Sequence, residues 1–187
     1  RTARYRHAAS WEAVGEVVAA VPVPVIGNGD ILFPHEIEEF RSRAGCAGVM
    51  IARGALIKPW IFAEAREGRY LDLDGPARLD VYRRYVAYAK EHFGSDEKGS
   101  RRVRDFVLWH LDFWTRYVPR RPDGTYPRMQ EREERVEPRS DLEALLSRGD
   151  APAHEYLADV LLGGGEPSNP PPAPAGSDVP RESIPQG

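Results

Sequence analysis

Apolar residues first recur at helical spacing over 10–21, where Trp11, Val14, Val17, Val18 and Val21 fall on one face behind the N-cap oxygen of Ser10. The pattern then changes. Val23-Pro24-Val25-Ile26 is a short apolar run closed by Gly27-Asn28-Gly29-Asp30, which reads as a buried strand followed by its turn. A helix follows, with Pro34 in its first turn, Phe33, Ile37 and Phe40 on one face, and Gly45 as its stop. The unit repeats as Gly48-Val49-Met50-Ile51-Ala52, a second buried strand, then Arg53-Gly54-Ala55 as its turn. A short helix from Pro59 carries Trp60, Ile61, Phe62 and Ala65. Helices alternating with strands this apolar predict parallel α/β structure covered on both faces.

After Leu71 only helical patterns remain. Residues 76–92 carry Leu79, Tyr82, Val86 and Ala89 at helical spacing and end at Gly94. The strongest helix is predicted over 96–117, capped by Ser95, with Val103, Phe106, Val107, His110, Leu111, Trp114 and Tyr117 on its apolar face. Trp109 and Trp114 flank His110, and at most one of them can share its face; His110 is read as core, and the tryptophans as core with a base-stacking platform as the alternative. A short helix is expected at 128–136. Ser140 and Glu143 form a capping-box pattern, and a last helix is expected from Pro152 to Leu162.

Composition trims this picture at both ends. The sequence has 187 residues and opens at Arg1 inside an established pattern, so a preceding part of the same domain is expected. Residues 163–187 hold 7 of the 17 prolines and 5 of the 17 glycines, a composition that predicts a disordered tail. The net charge of −3 advertises no global attraction to nucleic acid, and no apolar run spans a bilayer. Cys46, the single cysteine, leaves no disulfide framework and no cysteine zinc site, which suits a reducing intracellular setting. It stands before the second strand, a packing position. The histidines show no ligand spacing, so no metal site is expected.

The candidate chemistry lies in the two turns. Glycine lets backbone N–H groups approach a ligand closely, and a β/α barrel commonly binds phosphate with its last two strand–helix loops. Arg53 adds a charged donor. The residues alone leave two readings open, a phosphate-bearing cofactor or two structural turns.

Pro24 to Ile31, Gly48 to Leu56 and Lys58-Pro59-Trp60 together resemble the end of the barrel of the tRNA-dihydrouridine synthases, flavin enzymes that reduce uridine in tRNA. The run from Met50 to Leu56 with Lys58-Pro59-Trp60 is similar to the eukaryotic branch acting at tRNA position 47. Arg4-Tyr5, Glu91 to Asp96 and Arg116-Tyr117-Val118-Pro119 are further likenesses, whereas Ser10 stands where the family usually has an acid. The resemblance implies the C-terminal part of a TIM (β/α)8 barrel over 1–70, a helical tRNA-binding domain over 75–162 and the tail over 163–187. It implies FMN held by Asn28, Gly29, Asp30, Ala52, Arg53 and Gly54, with NADPH as electron donor. The family's cysteine acid lies earlier in the barrel, so no catalytic residue is expected in this chain and the piece by itself is expected to be inactive. A monomeric cytoplasmic or nuclear protein is expected.

Residues 98–121 carry a local excess of five positive charges, whereas 75–162 balances at 16 basic and 16 acidic residues. Lys98, Arg101, Arg102 and Arg104 crowd the start of the strongest helix, where cations oppose the helix dipole, and tRNA phosphate would account for that placement. With Arg116 they are the candidate RNA contacts. Two rival readings remain: another FMN-dependent barrel oxidoreductase, which needs no basic helical domain, and a non-catalytic RNA-binding module.

Overall fold

The computed structural model describes residues 7–129 and 137–174. The chain divides into two compact units, Arg1–Asp72 with Tyr117–Glu134 and Leu73–Arg116 with Arg135–Gly187.

In the first unit, α1 (Trp11–Ala20) starts at Ser10, whose hydroxyl accepts from Ala13 N at 3.2 Å. Strand β1 covers Ile26–Asn28, so the strand sits later than expected and takes in Gly27 and Asn28. Pro22 and Pro24 explain the shift, because neither can donate to a ladder. Helix α2 (Pro34–Ala44) follows, opened by the Glu36 carboxylate, which accepts from Leu32 N and Phe33 N at 2.7 and 2.8 Å. Gly45 closes α2 in the left-handed region. Strand β2 (Gly48–Met50) pairs in parallel with β1, Gly27 opposite Val49. The expected turn at Arg53 is instead the first turn of a short helix, α3 (Arg53–Ile57), and α4 (Ile61–Glu67) follows. Trp11, Ile31, Ala44, Cys46 and Ile61 form the core behind the strands. Cys46 therefore fills the packing role read from the sequence.

A second set of contacts fixes the step from α3 to α4. Lys58 and Glu64 are both fully buried and meet at 2.5 Å. The ammonium lies 4.3 Å from the Phe33 ring centroid, and the other carboxylate oxygen accepts from Leu71 N at 3.0 Å. Burial pushes the Lys58 ammonium down, and Glu64 opposes that shift. The segment after Tyr117 belongs to this unit as well. Tyr117 meets Trp60 edge-on at 5.0 Å and shares a 2.9 Å hydrogen bond with the Tyr70 hydroxyl. Tyr126 packs on Phe33 and His35 at 4.7 and 4.6 Å.

The second unit is helical. Helix α5 (Gly75–Phe93) is capped by Asp74 and α6 (Glu97–Trp114) by Asp96, not by Ser95. Asp96 accepts from Gly99 N at 2.8 Å, and a carboxylate there also favours the positive end of the helix dipole. Helices α7 (Asp141–Leu146) and α8 (Ala151–Gly163) carry caps at Ser140 and Asp150. Tyr82 stacks on Trp114 at 4.0 Å among Leu79, Val103, Val107, Leu111 and Leu157. Most of the helix expected at 128–136 lies outside the described residues. In the tail, residues 163–172 differ from the expected disorder. Arg83 donates to Gly165 O, the Tyr156 hydroxyl to Ser168 O, and Arg148 to Pro171 O and Pro172 O. These side chains satisfy carbonyls of a segment that has no helix or ladder of its own. Residues 175–187 lie outside the described residues.

His110 is buried against Tyr85, whose hydroxyl lies 2.8 Å from Nδ1, and burial pushes the imidazole from 6.5 down to about 4. The unfolded chain therefore binds a proton in that window that the folded one excludes. Stability is expected to fall as pH drops from about 6.5 to about 4, and to be unaffected by this group above that range. Urea midpoints measured across the window should decline less steeply for His110→Gln than for the parent protein.

Candidate phosphate cleft and basic helix face

All six turn residues singled out in the sequence line one small open cleft in the first unit, together with Ile31, Met50 and Met129. The ends of β1 and β2 are tied by Asn28, whose side-chain amide donates to Met50 O at 2.8 Å. Gly29 has φ 145° and lies so close to Ala9 that a Cβ would stand 2.2 Å from the alanine methyl. Asp30 has φ 54°, and its carboxylate is held on both sides. One oxygen accepts from Ala9 N at 2.7 Å and the other from Arg53 Nη2 at 3.0 Å. The aspartate therefore orients the guanidinium and does not itself present a free anion to the cleft. Gly54 is buried in α3, where a Cβ would meet Ile31 O at 2.0 Å. Gly54 thus lets α3 pack directly on the Ile31 backbone beside the cleft.

Met129 is the lining residue that the turns did not reveal. It arrives from the segment after Tyr117, which has no periodicity to signal where it packs. Nothing in the spacing of Lys58 and Glu64 signalled their buried pair either.

The basic residues of the second unit divide into two groups. Lys98 and Arg102 are exposed and make no ion pair among the described residues, and Arg101 reaches Glu97 at 3.2 Å on the surface. Arg104 is instead held against α8 by Asp159 at 2.5 Å and by Glu155. Arg116 follows the end of α6 with its guanidinium 5.7 Å from the Phe113 ring centroid. Phe106 and Trp109 are 41% and 47% exposed, so neither is the core residue expected. Trp114 and His110 are buried as expected. Among the described residues no group of acidic, histidine and cysteine side chains could hold a metal, and no helix is long and apolar enough to cross a membrane.

Residues 1–137 match the family described as "Dihydrouridine synthase (Dus)". The chain is 40% identical over 173 residues to a human protein named "tRNA-dihydrouridine(47) synthase [NAD(P)(+)]-like", covering 90% of this chain and 26% of that protein. It is 39% identical over 168 residues to the mouse protein of the same name, covering 87% and 26%. A Coprinopsis cinerea protein named "tRNA-dihydrouridine(47) synthase [NAD(P)(+)]" is 39% identical over 174 residues, again covering 87% and 26%. The chain thus spans about a quarter of the length of these relatives. With most of its length inside the matched region, the chain belongs to the dihydrouridine synthase family.

Proposed function

We propose that this chain is the C-terminal part of a tRNA-dihydrouridine synthase that reduces uridine at position 47 of tRNA with FMN and NADPH. The observation that carries the reading is the convergence of Asn28, Gly29, Asp30, Ala52, Arg53 and Gly54 on one cleft at the ends of two parallel strands. The cleft suits a phosphate monoester: two turns at the ends of parallel strands, and a guanidinium aimed by a carboxylate. The names of the relatives support the substrate, the position and the nicotinamide reductant. Ile26 and Met50 are 60% and 53% exposed on a sheet of two strands, as expected if further barrel strands complete it.

FMN, when bound, supplies the hydride that reduces the uracil double bond. The residues of this chain bind and position. Arg53 offers a charge-assisted donor to the phosphate, Asp30 fixes that arginine and the Ala9 backbone, and Gly29 and Gly54 let the turns pack closely on Ala9 and the Ile31 backbone. Cys46 is 3% exposed within the core of Trp11, Ile31 and Ile61, so it cannot reach a base to protonate it. The proton donor belongs to another part of the protein. Lys98, Arg101, Arg102 and Arg116 meet tRNA phosphate, and Arg104 braces α6 on α8 beside them.

The test is reduction of tRNA by the purified intact protein with NADPH, read as dihydrouridine by mass spectrometry of nuclease digests. Conversion confined to position 47 is expected. A flavin-loaded protein that oxidises NADPH with a small-molecule acceptor and leaves every tRNA uridine unreduced would replace this reading with that of another flavin oxidoreductase.

A further inference from the structure

Helix α6 carries a stripe of cations and aromatic rings in which Lys98, Arg102, Phe106 and Trp109 are exposed and Phe113 and Arg116 half-buried, with Phe106 resting one edge on Tyr85 and Phe93. At 100° per residue, Lys98, Arg102, Phe106, Trp109 and Phe113 fall within one narrow band of the helix surface, and Arg116 follows just past the helix end. The three aromatics form a continuous surface in the middle. Phe106 and Trp109 are near-parallel with centroids 5.7 Å apart, and Trp109 and Phe113 meet at 5.0 Å. Cations stand at both ends, Lys98 and Arg102 before Phe106, and Arg116 over Phe113. Asp105 and Asp112 border one flank, with Arg101 beyond them.

A purely apolar partner would leave Lys98 and Arg102 unanswered, and a purely anionic one would leave about half of the Trp109 and Phe106 surface wet. One chemistry answers both: flat aromatic groups strung on a phosphate chain. From Phe106 to Phe113 the helix rises about 10 Å, room for about three stacked bases.

We propose that this stripe is a stacking platform for unpaired nucleotides of an RNA strand, its bases on Phe106, Trp109 and Phe113 and its phosphates at Lys98, Arg102 and Arg116. The proposal rests on the reading that the helical unit meets RNA, and it adds that the contact is to unstacked bases and not to a duplex backbone alone.

The experiment uses the intact protein and its Trp109→Phe variant, whose difference emission isolates Trp109. Both are titrated with a short single-stranded oligouridine and with a perfect RNA duplex. Single-stranded RNA is expected to quench the Trp109 component, the duplex to leave it unchanged, and Trp109→Ala with Phe113→Ala to weaken single-strand binding about tenfold or more. Matching circular dichroism of the variants guards against misfolding. Salt-dependent RNA binding that falls with Lys98→Ala and Arg102→Ala but never perturbs Trp109 would overturn the platform and leave the RNA reading standing. A Trp109 component resistant to acrylamide in the free intact protein would place another part of the polypeptide over the stripe and also overturn it. No RNA binding at all would remove the underlying reading and the platform together.

Discussion

Lys58→Met is expected to lower stability by about 3–5 kcal/mol, because it leaves the Glu64 carboxylate buried with Leu71 N as its remaining hydrogen-bond donor among the described residues. Methionine keeps most of the volume of the lysine stem, so the loss is electrostatic and not a cavity. It also removes the cation from its place 4.3 Å from the Phe33 ring centroid. The double variant Lys58→Met with Glu64→Leu removes both charges and is expected to recover much of the loss, although Leu71 N then loses its acceptor. Urea unfolding of the parent, single and double variants, analysed as a double-mutant cycle, measures the coupling. Additive losses would mean that the two side chains do not act as a pair. Because the pair fixes the chain as it leaves α3, flavin retention should fall along with stability in the single variant.

Gly54→Ala is expected to be at least as damaging to the cleft. The added Cβ would stand 2.0 Å from the backbone oxygen of Ile31 and 3.2 Å from the Ile51 side chain. A backbone atom cannot turn aside as a flexible side chain can, so α3 or the Ile31 segment must move. The stability cost should reach or exceed the about 1–3 kcal/mol of ordinary overpacking. Arg53 starts the same helical turn, so the shift also takes its guanidinium away from Asp30. The variant should purify with little flavin, read as the ratio of absorbance at 450 nm to 280 nm. Flavin content equal to the parent would mean that Gly54 does not set the cleft wall. Ala55→Gly, one residue on, should change flavin content little and serves as the control for helix propensity.

The sequence announced the elements better than the contacts between them. Ser10, Ser140 and Gly45 act at their helix ends because capping depends on a few neighbouring residues. The two strand–turn pairs were legible for the same reason, with a shift of β1 past Pro24. At α6 two adjacent residues could both cap, and the carboxylate of Asp96 took the position from Ser95. The Lys58–Glu64 pair was illegible because charged residues read as surface unless something shows both of them buried. The return of Tyr117 and Tyr126 to the first unit was hidden by a stretch rich in arginine, proline and glycine, whose partners Phe33, Trp60 and Tyr70 lie far away in sequence. Only one of Trp109 and Trp114 could share the buried face with His110, and the spacing did not say which; Trp114 took it and Trp109 lies on the surface.

The most direct measurement is the affinity of the intact apoprotein for FMN against riboflavin, which lacks the phosphate and is otherwise the same. If the cleft between Asn28 and Gly54 grips phosphate, FMN binds at least about a hundredfold more tightly, two charge-assisted contacts at about 1.5 kcal/mol each being enough. Arg53→Ala should remove much of that preference. Equal affinity for the two flavins, unaltered by Arg53→Ala, would contradict the assignment of these turns to the cofactor.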